Sequence, residues 1–312
     1  MLERIKRDFP RSKFAQQADY QIAKLRNAAA SPAESIASLK KIKPDAENYL
    51  AARYDLCQLL HQELKKQRDP NTARAQLREL QAAVDVYQDA AGSKEPARQL
   101  AALMKLADAA LGIDPPATKV AANALEVASG LASRLSDDEP NLAEYHYYAL
   151  QLAKRKNDAS ARRRHAAWIV ANAPGSRYEL PALVTVATAL EAEVKAADQS
   201  TQAPLHEEAL DVYTRLSRAL GDTPEILLRQ KNARIALSKR AEYAVLLGRH
   251  DVADRATEKL LAVFPKDRKY LRRAALASFH AGRHEKSLEH WETLLRGLPA
   301  GADPWMEAKY HQ

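Results

Sequence analysis

Apolar side chains recur along this chain at intervals of three and four. Leu142, Tyr145, Ala149 and Leu152 form one such set, and Leu180, Leu183, Val184, Ala187 and Leu190 another. That spacing places them on one face of an α-helix, so the pattern predicts amphipathic helices from end to end. The β-branched run Val184-Thr185-Val186 lies inside the second set and is therefore read as helix, not strand. Punctuation is frequent. Ser31-Pro32-Ala33-Glu34 has the form of a capping box with proline at the first helical position. Asp69-Pro70, Asp114-Pro115, Thr223-Pro224 and Asp303-Pro304 repeat the same cap-then-proline grammar. Breaks at this frequency predict about fifteen helices joined by short turns.

The C-terminal third repeats itself. Gly248-Arg249-His250 returns as Gly282-Arg283-His284, Leu260-Leu261 as Leu294-Leu295, and Phe264-Pro265 as Leu298-Pro299, each at a shift of 34. Ala241 maps onto Ala275 and Ala253 onto Ser287 at that shift, and Pro10 to Pro44 and Pro140 to Pro174 keep it elsewhere. This register resembles the tetratricopeptide repeat (TPR) family, a 34-residue helix–turn–helix with small residues at positions 8 and 20 and proline at 32. Counted from 268, Leu271, Ala274, Ala275, Ser287, Trp291, Leu294 and Pro299 fall on the motif. Counted from 234, Leu237, Ala241, Ala253, Leu260 and Pro265 do so, while Arg240 and Thr257 depart from it. Segments 13–46 and 143–176 fit through Tyr20, Ala23, Ile36, Leu39 and Pro44, and through Ala149, Leu150, Ile169 and Pro174. Segments 47–139 and 177–233 suit hairpins longer than the motif.

The resemblance implies an all-α fold: a right-handed α-solenoid of stacked antiparallel helix hairpins, with 1–312 forming a single superhelical domain. Small residues let the two helices of a hairpin approach, and large ones fill the layer between hairpins. The stretch Ala196 to Gln202 is the expected flexible insertion. Continued outward, the phase places Leu2, Ile5 and Pro10 at the end of a second helix, and Trp305 and Ala308 inside a first helix. Partial repeats at 1–12 and 302–312 imply an excerpt of a larger bacterial protein, whose unpartnered end helices would favour self-association. The phrase Phe9-Pro10-Arg11-Ser12-Lys13-Phe14-Ala15 resembles the lead into a helix in TPR proteins of the bacterial envelope, which points the parent protein toward the cell envelope or periplasm.

Composition narrows the functional classes. Nine glycines in 312 residues are too few for a turn-dense β fold, and the one cysteine, Cys57, excludes a disulfide framework or a Cys-based zinc cage. No nucleophile elbow, phosphate loop or dinucleotide fingerprint occurs. His280 and His284 straddle a turn and do not share a helix face, and Cys57 sits among Leu56, Leu59 and Leu60 as a core residue. The expected protein is therefore not an enzyme and carries no cofactor. The formal net charge is +8, with +5 in residues 1–100, −4 in 101–150 and +7 in 151–312. The excess suits an acidic partner.

The TPR resemblance implies a concave face lined by the first helix of each repeat. On it fall Glu144, Tyr147, Gln151 and Lys154, then Ile235, Ser238, Glu242 and Val245, then Lys269, Arg272, Leu276 and Phe279. The expected function is a protein-interaction scaffold. Its candidate contacts are Tyr147, Gln151, Lys154, Glu242, Lys269, Arg272, Leu276 and Phe279. Lys269 and Arg272 suit the family's carboxylate-clamp subclass, but Leu276 and Glu242 stand where it carries asparagine. The alternative is a nucleic-acid-binding repeat using the basic cluster Lys154, Arg155, Lys156, Arg162, Arg163 and Arg164.

Overall fold

The computed structural model describes residues 2–9, 12–29, 31–297, 301, 306 and 309–310. Among them the chain is all-α, with sixteen helices and no strand. They are α1 (Leu2–Asp8), α2 (Lys13–Ala28), α3 (Pro32–Lys40), α4 (Tyr49–Lys66), α5 (Pro70–Ala91), α6 (Pro96–Gly112), α7 (Thr118–Ala132), α8 (Pro140–Arg155) and α9 (Ala159–Asn172). Then follow α10 (Glu179–Ala196), α11 (Gln202–Leu220), α12 (Pro224–Arg229), α13 (Lys231–Leu246), α14 (His250–Val263), α15 (Arg268–His280) and α16 (His284–Arg296). They fall into two compact units, residues 1–178 and 179–312. The terminal positions Pro10, Pro299, Asp303-Pro304, Trp305 and Ala308 lie outside the described residues.

In the first unit, α2/α3, α4/α5, α6/α7 and α8/α9 pair as hairpins, and α4, α6 and α8 also touch in succession. This is the contact pattern of a stack, each hairpin covering the apolar face of the next. The interval 47–139 holds two hairpins whose helices run 15 to 22 residues. The core is leucine and alanine: Leu56, Leu60, Leu80, Leu100, Met104 and Leu125 are buried against Ala52, Ala102, Ala107 and Ala121. Arg53 is buried too. Its guanidinium donates to the carbonyls of Leu39 (2.8 Å) and Ile42 (2.7 Å), closing the C-terminus of α3 where the helix dipole favours a cation.

In the second unit α10/α11, α13/α14 and α15/α16 pair, α11 also lies against α13, and α13 touches α15. The motif's small residues are where the helices cross: Ala241, Ala253 and Ala275 are fully buried, and the buried Ser287 donates its hydroxyl to the Ala275 carbonyl at 2.8 Å. The same twelve-residue bond joins Ser35 to Ala23 in the first unit at 2.8 Å. In the segment counted from 13 it falls at positions 11 and 23, because α2 runs 16 residues against 13 in α15 and so carries the hairpin turn three positions further along.

Two start signals do not act as the grammar predicts. The Ser31 hydroxyl makes no cap bond, and Glu34 turns to Arg26 at 3.7 Å. Asp114-Pro115 opens no helix, and α7 begins at Thr118. Pro116 follows at once, and a residue before proline is disfavoured in α conformation. Asp69 does cap α5, accepting from the Thr72 amide at 2.7 Å. The stretch 197–201 is a five-residue turn held by Asp198, whose carboxylate accepts from the Thr201 amide at 3.1 Å and the Ser200 hydroxyl at 2.8 Å.

Candidate functional site

The second unit carries a cleft on the faces of α13 and α15. Both helices pack on α14, and Arg273 ties them to each other directly. Its guanidinium donates to the Ser238 carbonyl at 2.6 Å and to Glu242 at 2.9 Å, with only 13% of the side chain exposed. Glu242 also receives Lys239 at 3.2 Å, and Lys239 reaches Glu191 of α10 at 3.4 Å. Burial opposes ionisation of Glu242, but Lys239 and Arg273 overcome it and hold its carboxyl below the ordinary range. Glu242 is therefore a fixed carboxylate among cations.

Beside this clamp lies a cleft of about 470 Å³. Val245, Leu246, Leu276 and Leu294 supply apolar lining, and Arg268, Lys269 and Arg272 stand with them. A second cleft of about 320 Å³ adjoins it and shares Lys269. Its lining is more polar: Lys231, Arg234, Ser238, Lys239 and Asp267 with Ile235 and Tyr270. Asp267 is engaged at the N-terminus of α15, where it accepts from the Lys269 and Tyr270 amides at 3.0 and 3.1 Å.

Of the residues expected to contact a partner, Glu242, Lys269, Arg272 and Leu276 line the larger cleft together. Phe279 is on the same helix and 44% exposed, but its ring lies against His284, centroids 5.3 Å apart, and it does not line that cleft. Tyr147, Gln151 and Lys154 are on α8 of the first unit. Tyr147 is half-buried and stacks on Tyr178 at 4.8 Å, while Lys154 is exposed in the last turn.

The basic cluster is partly drawn into the fold. Arg155 donates to the Leu111 carbonyl at 2.9 Å in the last turn of α6, and Arg162 and Arg163 are half-buried on α9. Lys154, Arg155, Lys156 and Arg164 are exposed. Among the described residues no group of three or more His, Cys, Asp or Glu is placed to hold a metal ion. His280 stacks on His250 at 4.7 Å. Cys57 is fully buried, and that burial pushes its thiol up to about 12. No described helix is long and apolar enough to cross a membrane.

One cluster escaped the sequence reading. His146 of α8 and His165 of α9 face each other through their Nδ1 atoms at 3.0 Å, and the His146 ring stacks on Trp168 at 4.0 Å and 6°. The hairpin turn at 156–158 folds these positions together, a pairing visible only once the turn is fixed. Burial, then His165 and Arg164, push His146 down to about 3, and burial and Arg164 lower His165 as well. Both folded values lie below the unfolded histidine value of about 6.5, so the unfolded chain binds more protons as pH falls. Stability of the first unit is expected to decline from about pH 6.5 downward. Urea titrations at pH 7 and pH 5 check this: His146→Phe, which keeps a ring on Trp168, is expected to lose less stability between them than the parent. An equal loss in both proteins would remove the histidine pair as the cause.

No protein-family model matches the chain, and no curated protein matches it. Among solved structures it is similar to a tetratricopeptide repeat protein of Parabacteroides merdae, at 11% identity and TM-score 0.44, over 95% of this chain and 98% of that one. It is also similar to a thermophilic TPR protein of Thermus thermophilus, at 17% identity and TM-score 0.31, over 68% of this chain and 98% of that one. Within each unit hairpin packs on hairpin with small residues at the crossings, so the described fold is an all-α repeat of helix hairpins.

Proposed function

We propose that the chain is a non-catalytic protein-interaction scaffold that receives an acidic peptide segment on the α13–α15 face. The observation carrying this reading is the larger cleft, where apolar lining from Val245, Leu246, Leu276 and Leu294 meets Arg268, Lys269 and Arg272. Such a surface gains from apolar burial and selects by charge. Glu242 does not cancel the basic character, because Lys239 and Arg273 already neutralise it.

The test is fluorescence anisotropy with labelled decapeptides carrying three glutamates and two leucines. The double variant Lys269→Glu with Arg272→Glu is expected to weaken binding by about tenfold to a hundredfold at low salt. Both side chains are exposed and leave the core intact. Unchanged affinity in the double variant would move the binding face elsewhere.

A further inference from the structure

Arg240 departs from the repeat pattern and has no part in the cleft. The matching position 34 residues on is Ala274, which is fully buried, whereas Arg240 places a half-buried guanidinium on α13. It is turned about 200° from Glu242 around the helix at ~3.6 residues per turn, so it lies on the other side of α13. α13 packs on both α11 and α14. Those two helices are pinned to each other where Lys259 of α14 reaches Asp222, just beyond the end of α11, at 2.6 Å. Arg255 stands one turn before Lys259 on the same face of α14, and Arg218 four residues before Asp222 in the last turn of α11. The pin thereby gathers Arg218 and Arg255 around Arg240, and both charges act on it.

Nothing within the described residues answers this charge. The Nε of Arg240 is enclosed and makes no hydrogen bond. Arg218 and Arg255 are exposed, and among the described residues neither has an ion-pair partner. Asp222 is the carboxylate that acts on Arg240, and Lys259 already engages it. Burial first, then Arg255 and Arg218, outweigh Asp222 and lower the Arg240 pKa from its ordinary value. A half-buried guanidinium set beside two others costs stability, and local costs of this kind collect at functional sites.

Resting on the protein-binding reading above, we infer that Arg218, Arg240 and Arg255 form a receptor for a phosphoryl group carried on a serine or threonine of a protein partner. A phosphate monoester brings about −1.5 to −2 charge and three strong acceptor oxygens, which forked guanidinium donors engage in pairs. A carboxylate brings less charge and one oxygen fewer. The cluster is a single focus of charge, which suits one phosphoryl group; a nucleic-acid backbone is held by a track of cations following several phosphates.

The experiment is fluorescence anisotropy with a labelled serine–glycine decapeptide carrying one central phosphoserine. Its unphosphorylated form, a labelled single-stranded decanucleotide and inorganic phosphate as competitor are measured beside it. At about 50 mM salt the phosphopeptide is expected to bind the full chain tenfold or more tighter than the unphosphorylated peptide. Arg218→Gln with Arg255→Gln is expected to erase that preference, and both side chains are exposed, so the core is kept. Arg240→Met keeps a long stem without the charge. It is expected to erase the preference as well, while unfolding at a urea concentration no lower than the parent's. Equal binding of the two peptides, or a preference that survives the double variant, would overturn the site. A lower urea midpoint for Arg240→Met would overturn the role of Arg240, since its charge would then serve the fold. Inorganic phosphate bound as tightly as the phosphopeptide would overturn the peptide as carrier. Tighter binding of the decanucleotide, lost in the double variant, would overturn the protein partner. The Lys269→Glu, Arg272→Glu variant is expected to retain the phosphopeptide preference, so failure of this site and failure of the α13–α15 cleft are read separately.

Discussion

Trp291→Ala is expected to destabilise the second unit by about 3–5 kcal/mol, the usual range for truncating a buried tryptophan. Trp291 is 1% exposed and is the largest fully buried side chain in the protein's described core. It fills the layer formed with Leu271, Ala275 and Leu294, against which Leu261 of α14 also leans. Little can collapse into the void. Ala275 is already small, and its backbone carbonyl is held by Ser287 at 2.8 Å. Stacked hairpins transmit damage mainly to their neighbours, so the loss is expected in α14 to α16. Hydrogen exchange followed by mass spectrometry should show protection falling there and unchanged in residues 1–178. A variant with exchange identical to the parent throughout would mean that Trp291 does not fill this layer.

Asp254→Ala is the second large effect, about 2–3 kcal/mol. Asp254 lies on α14 with 1% of its side chain exposed. It accepts from Ser278 at 2.5 Å, Lys286 at 3.0 Å and Arg283 at 3.1 Å, so one carboxylate joins α14 to α15, α16 and the turn between them. Bonds to a charged group contribute about 1.5–3 kcal/mol. The figure stays below the ~3–5 kcal/mol of a stranded buried ion because neither cation is abandoned. Lys286 keeps Glu258, and Arg283 keeps Asp251 at 2.8 Å. Burial raises the Asp254 pKa, but Ser278, Lys286 and Arg283 outweigh it, and the folded value lies below the usual carboxylate range. A depressed folded value means a contribution present in full above the unfolded value of about 3.9 and lost as pH falls through the folded one. Urea denaturation should therefore show the gap between parent and variant at pH 7 narrowing in acid. A gap independent of pH would remove the carboxylate's charge from the account.

The hairpin unit was legible because it depends on residue size at fixed spacing. Ala241, Ala253, Ala275 and Ser287 stand in the sequence where two helices must cross, and they are buried at those crossings. Glu242, Lys269, Arg272 and Leu276, which the TPR resemblance implies for a concave face, line one cleft of the second unit, whereas Phe279, implied with them, lies against His284. Rules that depend on local geometry carried less. A serine before proline names a cap, yet whether its hydroxyl meets an amide depends on backbone angles, and at Ser31 it does not. The division at 178 leaves no composition signal, since Arg177, Tyr178 and Glu179 are ordinary helix-boundary residues. Arg155 stands exposed in a basic run, and nothing in that run announces the bond its guanidinium makes to a carbonyl 44 residues earlier. Similarly, nothing at His146 announces His165, because the chain must turn once before the two rings meet.

The guanidinium of Arg273 has a further effect on how quickly a visitor could settle. Its bonds to Ser238 and Glu242 join the two walls of the cleft, which lowers the ordering cost of seating the acidic segment proposed above. For that proposed segment, the arrival rate is expected to follow ionic strength through Lys269 and its neighbours, and the residence time to follow the leucine lining.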